Sequence, residues 1–170
     1  MIAVAALMVM PLCLAVAAVS DLFTMTIPNK IPAALLLAFL VLAPLVGLGW
    51  PDIGMSLVAG LIVFAVCFSL FAANVMGGGD AKLLTAAACW FGFGQPLLIF
   101  LVATAFLGGM LTILILVIRS YSSTVLAMGI ALPQSLTTAN KIPYGIAIAV
   151  GGFMTLEHAP IIILAMRAAG

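Results

Sequence analysis

Residues 54–82 read GMSLVAGLIVFAVCFSLFAANVMGGGDAK. From Gly54 to Met76 no side chain is charged, and the run is long enough to cross the roughly 30 Å hydrocarbon core of a bilayer as a helix. Lipid offers the backbone no hydrogen-bond partners, so such a segment must satisfy its own N–H and C=O groups and is therefore helical. Three glycines and an aspartate then arrive together, Gly77-Gly78-Gly79-Asp80, followed by Lys82. This one stretch predicts a membrane helix and a chemically unusual turn at its end.

The same pattern extends in both directions. Apolar runs between breakers give six candidate spans, 2–20, 31–49, 54–76, 81–93, 96–118 and 142–168, and predict an all-α, polytopic transmembrane bundle forming one domain over residues 1–170. The fourth run is short for a full crossing, and Gly92, Gly94 and Pro96 separate it from the fifth. Hydrophobic residues make up 67% of the chain and charged residues 5%, with a mean hydropathy of +1.48. That excludes an ordinary soluble surface. A net charge of +1 provides no basic field for nucleic acid, so the expected surroundings are the lipid bilayer. Cys13, Cys67 and Cys89 lie inside apolar runs without paired spacing and read as packing or lipid-facing residues, with no metal site.

With so few charges, each one locates something. Placing the N-terminus outside sends Lys30, Lys82, Arg119 and Lys141 to one side of the membrane and Asp52, Glu157 and Arg167 to the other. The excess of Lys and Arg makes the first side cytoplasmic. Asp21, closing the first span, and Asp80 fall on that same side, although carboxylates played no part in setting the orientation. Asp52, beside Pro51, reads as a turn on the outer side, and Glu157 with His158 as an interfacial or packed pair.

Two carboxylates at one depth supply acid–base chemistry on a water: one takes a proton as the water attacks a carbonyl, the other donates to the developing oxyanion. Asp80 begins a helix close to Lys82, where dipole and cation favour its ionised form, whereas Asp21 ends one. The expected division makes Asp80 the base and Asp21 the proton holder. The glycines allow a sharp turn and close approach of an extended substrate strand. Asn29-Lys30-Ile31-Pro32 recurs as Asn140-Lys141-Ile142-Pro143, in each case opening an apolar run, as an asparagine N-cap with a first-turn proline would. Residues 120–140 mix Ser and Thr with apolar side chains and suit an interfacial helix, a substrate-facing flap or a linker.

At these residues the chain resembles the type IV prepilin peptidases, in the short form associated with Flp/Tad-type pilus systems. The matching elements are Asp21 followed by Ile27-Pro28-Asn29, the Gly-x-Gly-Asp motif at Gly77–Asp80 with Lys82, and Pro143-Tyr144-Gly145, where Tyr144 replaces the more usual phenylalanine. The resemblance implies an aspartic endopeptidase of the bacterial inner membrane, with catalytic Asp21 and Asp80 facing the cytoplasm. It implies a prepilin substrate whose short basic leader precedes a hydrophobic helix and is removed just after a glycine. Gly77, Gly78, Gly79, Lys82, Pro28, Asn29, Pro143 and Tyr144 are then expected to bind substrate or shape the site, with no metal and no cofactor. The region with paired cysteines that accompanies methyl transfer in longer members is missing, so that second activity is not expected. A small proton-coupled transporter, or a structural subunit of a secretion or pilus assembly, is the alternative; the first also uses intramembrane carboxylates, and the second would tolerate their removal.

Overall fold

The computed structural model describes residues 1–120 and 142–169, and all of their regular structure is helical, with no strand among these residues. Seven α-helices follow in order: α1 (Ile2–Thr24), α2 (Lys30–Leu45), α3 (Trp50–Ala72), α4 (Gly78–Phe91), α5 (Gln95–Ser120), α6 (Tyr144–Met154) and α7 (Pro160–Ala169), with a 3-10 turn at Leu156–His158 between the last two. Helices α1, α3 and α5 are long and apolar enough to cross a membrane; α2 and α6 are apolar but shorter. Of the expected interfacial helix or flap at 120–140, Ser120 closes α5 and the rest, with Asn140 and Lys141 of the second Asn-Lys-Ile-Pro start, lies outside the described residues.

Helix α4 is the centre of the bundle and packs against α2, α3, α5, α6 and α7. At 14 residues it is only about 21 Å long, too short to cross the hydrocarbon core unaided. From Leu83 to Phe91 every residue except Thr85 is buried, so its neighbours and not lipid surround it, as expected of a helix that is apolar on all faces. Small residues bring α3 close: a Cβ on Gly60 would lie 2.5 Å from Cys89 Sγ. Trp90, 1% exposed, donates its Nε1–H to the Leu35 carbonyl at 3.0 Å and meets the Phe39 ring at 6.2 Å, which ties α4 to α2. Phe91 stacks on Phe100 at 4.3 Å across the turn formed by Gly92 and Gly94, both in the left-handed region. Cys67 and Cys89 are buried packing residues.

Four local expectations change. The run 142–168 is not one helix. Pro160 has no N–H to donate and its ring would strike the Leu156 carbonyl, so α6 stops, Ala159 is extended (φ −71°, ψ 123°), and α7 starts afresh against α1 and α4. Asp52 lies in the first turn of α3, not in a preceding turn, because Pro51 fits a first turn and an acidic side chain suits the positive helix end. Gly78 and Gly79 are helical, and none of Gly77, Gly78 and Gly79 has positive φ. The left-handed residue between α3 and α4 is instead Asn74, at φ 58°. Finally, Asn29 stands at the N-cap of α2 without capping it through its side chain; the amide oxygen accepts from Lys82 Nζ at 2.9 Å, and an ammonium is the stronger donor.

Candidate active site

One end of the bundle gathers the C-terminal ends of α1, α3 and α5 with the N-terminal ends of α2, α4 and α6. A cavity of about 760 Å³ opens there, and Asp21 and Asp80 both line it. Alternating helix direction is the cause, since α1, α3 and α5 bring the chain to this end and α2, α4 and α6 carry it away.

Asp21 does not follow α1 but sits in its last turn, because the helix continues to Thr24 and closes on Met25 in the left-handed region at φ 54°. The side chain is 5% exposed, and its Oδ2 accepts the backbone N–H of Gly145 at 2.7 Å. Gly145 lies in the first turn of α6, so the carboxylate stands at the negative end of one helix and the positive end of another. Helix dipoles therefore do not separate Asp21 from Asp80 in the way expected from α1 alone. A Cβ at Gly145 would come within 2.9 Å of Asp21 Oδ2.

Asp80 lies in the first turn of α4. The glycines before it serve packing rather than turning: a Cβ on Gly77 would sit 2.7 Å from Asp80 Oδ2, on Gly78 3.3 Å from the Phe71 ring, and on Gly79 3.1 Å from Ile27 Cβ. The Gly-x-Gly-Asp start of α4 and the Ile-Pro-Asn segment are thus in direct contact, and Lys82 reinforces that contact through Asn29.

Of the residues singled out in the sequence, Gly77, Gly78, Gly79, Asn29 and Tyr144 line the cavity with the two aspartates; Pro28, Pro143 and Lys82 do not. Lys82 contributes indirectly through its bond to Asn29. Tyr144 is held by α5, where its ring occupies the space a side chain at Gly108 would need. Sequence reasoning passed over Met25, Phe71, Asn74 and Thr112, all in the cavity wall, and the Gly145 donor. Thr112 carries a faint signal, a polar residue one turn beyond Gly108 in an apolar helix, and it donates to the Gly108 carbonyl at 2.7 Å. Glu157 and His158 lie in the 3-10 turn after α6, beyond the end of that helix remote from the cavity. Among the described residues no three His, Cys, Asp or Glu side chains are grouped so as to hold a metal ion.

The model of the type IV leader peptidase family matches residues 8–113, which is more than half of the chain. The chain belongs to the type IV leader peptidase family. Neither a curated protein nor a solved structure matches it. The matched stretch of this leader peptidase runs from α1 into α5 and carries both Asp21 and Asp80, while α6, with the Gly145 donor, lies beyond it. Family membership and the long apolar helices together make the protein a membrane-embedded peptidase.

Proposed function

We propose that this leader peptidase is an intramembrane aspartic endopeptidase, with Asp21 and Asp80 as its dyad, that removes the short leader of Flp/Tad-like type IV prepilins at the cytoplasmic face of the inner membrane. The observation carrying the reading is that the two carboxylates, far apart in sequence, line one cavity at one end of the bundle. One ionised carboxylate takes a proton from water as its oxygen adds to the scissile carbonyl, and the protonated partner donates to the carbonyl oxygen. Collapse of the tetrahedral intermediate breaks the C–N bond and returns a proton to the leaving amine. The pair acts as a unit with one shared proton, so no separate base and acid are assigned.

The cytoplasmic orientation rests on Lys30, Lys82 and Arg119, which belong to the cavity end of the bundle. The prepilin substrate, with its hydrophobic N-terminal helix, rests on the Flp/Tad resemblance, and no methyl transfer is included.

The test is Asp21→Asn and Asp80→Asn, each reconstituted in liposomes with a prepilin-like peptide. Each change is expected to lower cleavage by on the order of 10²–10⁴-fold or more with the helical fold retained. Retained cleavage in either variant rejects the dyad, and loss in both folded variants rejects a purely structural subunit.

A further inference from the structure

Ile27 touches both halves of the site. Its side chain is 7% exposed and lies between glycines of two different helices. A Cβ on Gly79, the neighbour of Asp80, would meet Ile27 Cβ at 3.1 Å and its backbone N at 3.4 Å. A Cβ on Gly145, whose N–H holds Asp21, would meet Ile27 Cδ1 at 3.0 Å. The branched end of the side chain therefore abuts the first turn of α4 and the δ-methyl end abuts the first turn of α6. The length of one isoleucine separates them.

The segment carrying this side chain is tied down on both flanks. The Thr26 carbonyl accepts from Ser20 Oγ at 2.8 Å and from Thr24 Oγ1 at 3.2 Å, which anchors it to the last turns of α1. Asn29 Oδ1 accepts from Lys82 Nζ at 2.9 Å, which anchors it to α4. Lys82 and Asn29 are exposed, and exposed charged contacts contribute little by themselves. The buried contacts of Ile27 are the rigid part, because a close-packed interior transmits a change of even one methylene and a β-branched side chain has restricted χ1.

We infer that Ile27 is a positioning residue that sets the separation of Asp21 and Asp80, acting through Gly145 on one carboxylate and Gly79 on the other. The inference rests on the reading of the two aspartates as a catalytic pair. Carboxylates that share one water depend steeply on their spacing, and a displacement of about 1 Å costs on the order of 10²-fold in rate. Ile27→Val loses the δ-methyl that meets Gly145; Ile27→Ala keeps the Cβ and backbone beside Gly79 but removes the rest of the reach from there to Gly145.

The experiment has two arms. In the first, kcat for a prepilin-like peptide is expected to fall by roughly 10-fold in Ile27→Val and 10²-fold in Ile27→Ala, with KM within about twofold of the parent. The second needs no activity. A chain with Cys13, Cys67 and Cys89 replaced by Ala carries Asp21→Cys and Asp80→Cys and is treated with bifunctional thiol reagents of graded length. With Ile27 in place one reagent length dominates; with Ile27→Val the yield spreads to other lengths, and with Ile27→Ala it spreads further. A rise in KM with kcat unchanged assigns Ile27 to substrate binding and overturns the proposal. An unchanged crosslink profile overturns it whatever the kinetics, and if Ile27→Ala does not fold, Ile27→Val decides. A parent protein that cleaves no prepilin peptide overturns the proposed activity instead, and the crosslinks then decide the spacer alone.

Discussion

The Gly145 N–H donates to Asp21 Oδ2 at 2.7 Å across 124 positions of sequence, so the first turn of α6 completes a carboxylate environment begun in the last turn of α1. The donor is a backbone group and survives substitution, but the space beside it does not. In Gly145→Ala the new methyl carbon would lie 2.9 Å from Oδ2 and 3.0 Å from Asp21 Cβ. The carboxylate is displaced, and kcat is expected to fall by on the order of 10²-fold, read by peptide cleavage in liposomes.

Gly108 and Gly109 are neighbours in α5 with opposite expected outcomes. A side chain at Gly108 collides with the Tyr144 ring, whereas at Gly109 nothing lies within 4 Å. Gly108→Ala pushes Tyr144 from the cavity wall and lowers both cleavage and the unfolding midpoint. Gly109→Ala leaves cleavage unchanged and stabilises the helix by about 0.5–1 kcal/mol, measured by denaturant titration in detergent.

The contact between α3 and α4 at Gly60 predicts a compensating pair. Gly60→Ala overpacks against Cys89 Sγ and is expected to cost about 1–3 kcal/mol. Adding Cys89→Ala removes the sulfur atom the new methyl meets, so the double variant recovers most of that loss. Unfolding midpoints of the parent, the two single variants and the double variant measure the coupling.

Met25 ends α1 in a left-handed conformation that costs a side-chain-bearing residue roughly 1–2 kcal/mol. Met25→Gly relieves the strain while adding chain entropy to the unfolded state, and a net gain of about 1 kcal/mol is expected. The same denaturant titration checks it; a loss of stability would show that packing of the Met25 side chain outweighs the strain.

Much of this site was legible in the chain because lipid leaves little freedom. Asp21, Asp80 and Gly77–Gly79 stand out once nearly every surrounding residue is apolar. What the motif could not reveal was how the glycines are used. A Gly-Gly-Gly run suits a flexible turn, yet Gly78 and Gly79 lie in the helix because their missing Cβ atoms admit Phe71 and Ile27, partners fixed by tertiary packing. Asn29 reads as a helix cap for a similar reason, since local sequence does not disclose that Lys82 will compete for its amide oxygen.

The sequence by itself determined the membrane setting and the helical class, and it singled out Asp21 and Asp80 as candidates, because hydropathy and isolated charges are properties of segments. Only the tertiary structure decided that α4 is a sheltered central helix, that the last apolar run breaks before Pro160, and that Gly145 grips Asp21 while Ile27 packs between Gly79 and Gly145. These depend on side chains and backbone groups that meet across the bundle, and nothing in a linear pattern specifies which face of one helix will meet which turn of another.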